Sequence, residues 1–214
     1  MASSPTSDVA RPSRRVPFGL VVLATGLPMF MATLDNLVMT NALPAIRLDL
    51  DASIEELQWF MNAYTLAFAS FILMAAALGD RLGRRTVFAA GIALFTLASA
   101  GAALATDPTQ LIIARAVQGL VGAGIMPLSL SLLADAVPAR RRPLAIGIWG
   151  GTAGLAVAMG PLVGGAVVEG WNWNAIFWLN VPIGLLAVPV VLAVLPNAFG
   201  ARVRADVLGV VLAG

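Results

Sequence analysis

Apolar stretches of about twenty residues alternate with short polar intervals along most of the chain. As a helix, each stretch rises about 1.5 Å per residue and is long enough to cross the roughly 30 Å hydrocarbon core of a bilayer. A sheet with open edges would leave backbone groups unpaired in lipid, so helices are the predicted elements. The pattern predicts six spans, at about 17–39, 57–79, 87–106, 111–134, 144–168 and 175–195.

The charges between the spans are sorted by sign. Eleven of the 13 basic residues lie in four clusters, which are Arg11, Arg14 and Arg15; Arg81, Arg84 and Arg85; Arg140, Arg141 and Arg142; and Arg202 with Arg204. The other connections carry acids, namely Asp49, Asp51, Glu55 and Glu56, then Asp107, then Glu169, with Arg47 as the only opposing base. Because arginine is retained on the cytoplasmic side, this alternation predicts a multi-pass protein of the cell (cytoplasmic) membrane with its N-terminal tail, 1–16, in the cytoplasm.

Composition supports a chain whose solvent is lipid, since 59% of its residues are hydrophobic and 11% are charged. Cysteine and histidine are absent, and every basic residue is an arginine. Thiol, imidazole and Schiff-base catalysis are thereby excluded, as are the lysine of an ATP-binding loop and the histidines of a zinc protease. The net charge of +2 comes from clusters that flank spans, which favours membrane orientation over nucleic-acid binding. We expect no enzymatic activity, cofactor, metal or nucleic-acid partner.

Two charged residues lie clearly inside predicted spans, where each costs roughly 2.5 to 3.5 kcal/mol. Asp35 is about eight residues, or ~12 Å, before the expected end of span 1 at Pro44, and Arg115 is about five residues, or ~7 Å, into span 4. Both residues are therefore predicted to lie in the outer third of the membrane. One interpretation is that the side chains extend to the outer interface. The other, which we favour, is a functional cavity.

Five segments resemble signatures of a single family. They are 34–44 at the end of span 1, 76–85 between spans 2 and 3, 111–124 in span 4, 160–165 in span 5, and 171–184, which contains Trp171, Trp173, Phe177, Asn180, Pro182 and Gly184. On these residues the chain resembles the fourteen-span drug:proton antiporters of the major facilitator superfamily, from about residue 17 onward. Leu37, Thr40, Ala76 and Ala156 depart from the usual residues of those signatures.

The resemblance implies a function and a role for each signature. It implies proton-coupled efflux of drugs or other amphipathic small molecules, with Asp35 as the coupling carboxylate, Arg115 stabilising its ionised state, and Gln118 helping to position the proton. It implies a gating loop formed by Asp80, Arg81, Gly83, Arg84 and Arg85, although the same arginines could serve only to orient the protein. It also implies that Gly160, Pro161, Gly164 and Gly165 close the cavity against a partner half; ordinary tight packing is the simpler alternative.

The expected architecture is all-α: a six-helix N-terminal bundle of a major facilitator fold, made of two three-helix repeats related by inverted symmetry. Under that symmetry spans 1 and 4 correspond, so Asp35 and Arg115 should face one central cavity. Five prolines inside spans permit bends, at Pro28, Pro127, Pro161, Pro182 and Pro189.

The predicted domains are the tail, the bundle at 17–195, and 196–214 as a cytoplasmic loop with the start of a seventh span. Only about eight apolar residues follow Asp206, so we expect the chain to need a C-terminal half and not to transport by itself. The expected partners are protons, a small-molecule substrate, the lipid bilayer and that missing half. The alternatives are a proton-coupled metabolite transporter of the same fold and an inactive fragment or assembly partner.

Overall fold

A computed structural model of the protein describes residues 16–200. The predicted tail up to residue 15, the arginine clusters at 11–15 and 202–204, and the predicted start of a seventh span lie outside the described residues.

The described chain is helical and contains six helical units long and apolar enough to cross a membrane, which confirms the predicted six-span bundle. Two of the units are built from two helices each, with α4 and α5 forming span 4 and α7 and α8 forming span 6. A 3-10 turn, Ala139–Arg141, leads into span 5. The helices are α1 Phe18–Asp49, α2 Ile54–Leu82, α3 Arg84–Ala103, α4 Pro108–Gly122, α5 Ile125–Ala136, α6 Arg142–Gly170, α7 Asn174–Trp178 and α8 Asn180–Val194.

Local sequence explains where several helices begin. Ser53 starts α2 with a capping box, in which its hydroxyl accepts from the Glu56 backbone N–H while the Glu56 carboxylate accepts from the Ser53 N–H. Asp107 caps α4, and Pro108 follows at the first helical position, where a missing N–H costs nothing.

The prolines have two different effects. Pro127 and Pro182 lie in the first turn after the interruptions at 123–124 and 179. A proline cannot donate to the carbonyl four residues before it, and here that carbonyl, of Ala123 or Trp178, lies at or next to the interruption. Pro28, Pro44, Pro161 and Pro189 instead lie inside continuous helices.

The prediction that span 1 ends near Pro44 was wrong. Helix α1 continues through Pro44 to Asp49, so Asp35 lies fourteen residues, or about 21 Å, before its end. Arg115 lies seven residues, or about 10 Å, after the start of α4 at Pro108. The predicted placement of Asp35 near a helix end was therefore wrong. Neighbouring helices support α1 beyond Pro44, where the sequence alone predicted that the helix ends.

The helices pack so that α1 lies along α6 and α2 lies along α4. Helix α3 packs on α4 and α8, and α8 also packs on α1. Two apolar clusters fill the interior, one containing Phe88, Phe95 and Leu132 and the other containing Phe60 and Phe177. Polar side chains occupy the level between these clusters, as described below.

The two ends of the bundle differ in charge as the sequence predicted. At one end Arg84 pairs with Asp135 at 2.8 Å, which brings the connection between spans 2 and 3 to the connection between spans 4 and 5. At the opposite end the Trp173 indole Nε1 donates to Asp49 Oδ2 at 2.7 Å. The arginine-bearing connections of the described residues thus share one end of the molecule.

Candidate functional site

A buried polar network lies between the two apolar clusters and joins four helices. Its members are Asp35 on α1, Ser99 on α3, Arg115 and Gln118 on α4, and Asn180 on α8, all of them between 0% and 4% exposed. The structure therefore brings together the three residues predicted for proton coupling and adds two that were not predicted.

The centre of the network is an ion pair. Arg115 Nη1 lies 2.6 Å from Asp35 Oδ2, and the side chains are 0% and 1% exposed. This geometry excludes the interpretation that either residue extends to the outer interface. Such a pair is costly to desolvate, and removing one partner leaves an uncompensated buried charge that typically costs about 3 to 5 kcal/mol.

The guanidinium of Arg115 is held on several sides. Its Nε donates to the Phe60 carbonyl at 3.3 Å and its Nη1 also donates to Gln118 Oε1 at 3.0 Å. The Tyr64 ring centroid lies 4.4 Å from the guanidinium carbon, a cation–π distance. Nη2 is buried and has no hydrogen-bond partner among residues 16–200, so two of the five N–H groups of this cation are without an acceptor there.

The second carboxylate oxygen of Asp35 is held by amides. Oδ1 accepts from Asn180 Nδ2 at 2.6 Å and from Gln118 Nε2 at 3.3 Å. The Ser99 hydroxyl oxygen accepts from both amides, at 2.7 Å from Gln118 and 3.2 Å from Asn180. The network is thus closed around the carboxylate, and every helix that contributes to it is coupled to the charge state of Asp35.

Sequence reasoning missed Ser99, Asn180 and Tyr64 as members of this site. A signal existed for Asn180, a lone amide in the span 6 stretch NVPIGLLAVPVVLAV, which is otherwise free of polar side chains. No comparable signal existed for Ser99, because one hydroxyl among small residues of α3 is common in packed membrane helices.

Two glycines permit the close helix approach that assembles the site. A Cβ at Gly119 would collide with the Tyr64 carbonyl group, so glycine lets α4 pack directly on the backbone of α2. A Cβ at Gly184 would collide with the Thr96 hydroxyl, so glycine lets α8 pack directly on the Thr96 side chain of α3. These contacts bring Arg115, Gln118 and Asn180 within hydrogen-bond distance of Asp35.

A cavity of about 340 Å³ lies beside the network, but Asp35 and Arg115 do not line it. Its lining includes Asn36, Tyr64 and Phe68, and the last two rings are stacked with centroids 6.1 Å apart. The expectation that both charges face a central cavity is therefore wrong for this conformation. The charges satisfy each other inside the bundle, and Tyr64 separates them from the cavity.

The predicted gating loop, between spans 2 and 3, also contacts spans 4 and 6 at the arginine end. Arg84 Nε contacts Asp80 Oδ1 at 2.8 Å, and Arg84 Nη1 contacts Asp135 Oδ2 at the end of α5, also at 2.8 Å. Arg85 Nη1 donates to the Leu192 and Leu195 carbonyls at 3.3 and 3.2 Å, where a cation complements the negative end of α8.

Gly83 makes the turn in this loop possible. Its φ of +100° lies in a region that other residues rarely adopt, and a Cβ there would lie 2.5 Å from Asn197 Oδ1. Arg81, in contrast, is exposed.

The glycine and proline signature of span 5 has two faces. A Cβ at Gly160 would lie 2.8 Å from Leu37 Cβ, and one at Gly164 would lie 3.1 Å from Asn41, so these glycines pack against α1 within the bundle. A Cβ at Gly165 would meet nothing within 4 Å, and Pro161 is exposed. Only this second face is free, among the described residues, to contact something outside the bundle.

Six packed apolar spans around a buried ion pair define a polytopic helical membrane protein. A model of the Major Facilitator Superfamily matches residues 25–206, and the chain belongs to this superfamily of membrane transporters. A solved bacterial homolog of the human lysosomal transporter Spinster, in an inward-facing and unoccupied conformation, has the same fold, with a TM-score of 0.67 at 22% identity over 92% of this chain and 47% of that one.

Among the curated relatives are two antibiotic-resistance proteins. The tetracenomycin C resistance and export protein of Streptomyces glaucescens is 39% identical over 193 residues, which are 89% of this chain and 36% of the relative. The methylenomycin A resistance protein of Streptomyces coelicolor is 40% identical over 183 residues, or 85% of this chain and 38% of the relative. The chain thus spans between a third and two-fifths of the length of these relatives.

Proposed function

We propose that this chain is the N-terminal six-helix half of a proton-coupled exporter of drugs or other amphipathic small molecules. The observation that carries the proposal is the Asp35–Arg115 pair, a titratable carboxylate buried in the middle of a helical membrane bundle. Intramembrane ionisable residues mark ion and substrate pathways. The similarity to proteins named for antibiotic resistance and export supports efflux as the direction. We propose no enzymatic step.

In this proposal the charge of Asp35 is the coupling variable. As a carboxylate it is neutralised by Arg115 and accepts from Gln118 and Asn180. Protonation removes the attraction that holds the guanidinium, so Arg115 and the Tyr64 ring above it become free to rearrange. Because Tyr64 also lines the neighbouring cavity, a substrate there and a proton on Asp35 can exclude each other through this ring.

We further propose that the arginine end faces the cytoplasm and that the N-terminus is therefore cytoplasmic in a bacterial-type cell membrane. The loop from Asp80 to Arg85 would then act as a cytoplasmic latch. The exposed face of α6 around Pro161 and Gly165 would contact a C-terminal half, which would complete the substrate enclosure.

Cysteine labelling tests the orientation without background, because the chain contains no cysteine. Cysteines replacing the exposed Arg81 and Arg140 should react with a membrane-impermeant maleimide only in inverted vesicles. Cysteines replacing the exposed Thr109 and Glu169 should react only in intact cells. The reverse pattern would contradict the proposed orientation.

Transport is tested by comparing the chain alone with a completed transporter. In the completed form, residues 17–195 replace the matching spans of the Streptomyces glaucescens relative. Purified into liposomes with an imposed proton gradient, the chimera should export an amphipathic cation such as ethidium, while the 214-residue chain alone should not. Export by the chain alone would contradict the need for a C-terminal half. Gradient-driven uptake of a metabolite, without export, would favour the alternative transporter class.

A further inference from the structure

Asn180 has a position in the network to which the coupling proposal gives no role beyond donating to the carboxylate. It is 2% exposed in the first turn of α8, on a helix whose other side chains are apolar. Its Nδ2 donates to Asp35 Oδ1 at 2.6 Å and to Ser99 Oγ at 3.2 Å. Arg115 binds the other carboxylate oxygen, Oδ2. Asp35 therefore has a cation on one oxygen and an amide close to the other.

The partners of Asp35 differ in how they can respond to a proton. A neutral carboxylic acid has an O–H group that needs an acceptor, and a guanidinium has none. Gln118 is fixed on both sides, since its Oε1 accepts from Arg115 at 3.0 Å and its Nε2 donates to Ser99 at 2.7 Å. Reversing the Gln118 amide would place its N–H groups against those of Arg115.

The amide of Asn180 is not fixed in this way. A half-turn about its terminal torsion replaces Nδ2 with Oδ1, and the amide then accepts the proton of the acid. The hydroxyl of Ser99 can rotate to donate to the repositioned amide or to accept from it. Asn180 and Ser99 can thus satisfy either charge state of Asp35 without moving a helix.

Few other titratable groups face Asp35. Arg115 on α4 and Tyr64 on α2 are the ones at its level. On the helices packed against α1 the other charged residues lie toward the helix ends, namely Glu55, Glu56, Asp80 and Arg81 on α2, Asp135 on α5, and Arg142 and Glu169 on α6, while α7 and α8 carry none. The charged residues of α3, which carries Ser99, are Arg84 and Arg85 at its start. Among the described residues, Asp35 is therefore the carboxylate whose protonation the Asn180 amide would sense.

We propose that Asn180, supported by Ser99, is a positioning residue that holds Asp35 in both charge states, donating to the carboxylate and accepting from the acid. The inference rests on the proposed role of Asp35 as the coupling carboxylate. Since a hydrogen bond to a charged group is stronger than one to a neutral group, Asn180 favours the carboxylate overall. Removing the amide should therefore shift protonation of Asp35 to higher pH.

Infrared titration of the 214-residue chain in lipid nanodiscs measures this directly. The absorbance of protonated carboxyl groups is followed against pH, and subtraction of the Asp35→Asn profile isolates the contribution of Asp35. Asn180→Leu keeps a similar volume and should move this profile by about one pH unit to higher pH, a tenfold change in proton affinity. Ser99→Ala should shift it in the same direction by less, and it provides a second reading if Asn180→Leu folds poorly.

Asn174→Leu is the matched control, because Asn174 Nδ2 donates to the Ala103 carbonyl at 2.9 Å and its interhelical bond does not involve Asp35. Its profile should remain where the unsubstituted chain has it. An Asp35-dependent titration that neither Asn180→Leu nor Ser99→Ala shifts would overturn this inference and leave the coupling role of Asp35 intact. Absence of any Asp35-dependent titration in the unsubstituted chain would overturn both.

Discussion

Asp35→Asn is expected to abolish substrate-induced proton release by the completed transporter. Asparagine keeps the size of the side chain and an oxygen for Arg115, but it cannot take up or release a proton. Arg115 loses its counter-charge, so the free energy of unfolding should fall by up to about 3 to 5 kcal/mol. Proton release is measured in detergent with a pH indicator on addition of an amphipathic cation, and size-exclusion chromatography checks that the variant is folded.

Asp107→Asn is the matched control for this prediction. Asp107 caps α4 at the opposite end of that helix from Gln118, and asparagine caps helices as well as aspartate does. The control should release protons like the unsubstituted protein. Undiminished release by Asp35→Asn would locate coupling elsewhere, with Glu169 at the end of α6 as the next acidic candidate.

The sequence allowed the six spans to be predicted, and Asp35 and Arg115 to be singled out, because each of these features has a large and local energetic signature. A run of about twenty apolar residues is typical of a membrane span and not of a soluble loop. A charged residue inside a span, such as Asp35 or Arg115, is costly and therefore rare. The expected correspondence of spans 1 and 4 predicted that the two charges face one cavity, whereas the structure pairs them directly at 2.6 Å inside the bundle.

Ser99 and Tyr64 could not be assigned to the site because their roles depend on tertiary packing. Tyr64 covers Arg115 only because Gly119 lets the backbones of α2 and α4 approach closely, a contact between residues that are distant in the chain. The length of α1 was misjudged for a related reason. The local preference of Pro44 to end a helix is smaller than the packing that holds the last turns of α1 against its neighbours, where Ile46 is fully buried.

We also expect the Asp35–Arg115 pair to contribute a measurable coupling free energy to the stability of the bundle. Replacing both charges, with Asp35→Asn and Arg115→Met, should leave no uncompensated charge in the bundle. Methionine fills much of the volume of the arginine side chain and makes favourable contact with the Tyr64 ring. The double variant should therefore be more stable than either single variant, with a coupling free energy of about 2 to 3 kcal/mol.

The double-mutant cycle is measured by equilibrium unfolding of the 214-residue chain in mixed micelles. A parallel cycle on Asp80→Asn and Arg84→Met provides the control, because that pair is also a direct N–O contact, at 2.8 Å, but its side chains are 45% and 22% exposed. Its coupling free energy should stay below about 1 kcal/mol, as for other exposed pairs. Equal values from the two cycles would contradict the assignment of Asp35 and Arg115 as a desolvated pair.

A measurement of proton release by the same double variant tests whether coupling recovers together with stability. Although the protein regains stability, it lacks a titratable group at the centre of the network, so substrate-induced proton release should stay at background in the completed transporter. Stability and coupling would then separate in one molecule: the first depends on balanced charge, and the second on the presence of a proton-binding carboxylate. Recovery of proton release together with stability would show that Asp35 contributes to folding alone, and the coupling role proposed for it would have to be abandoned.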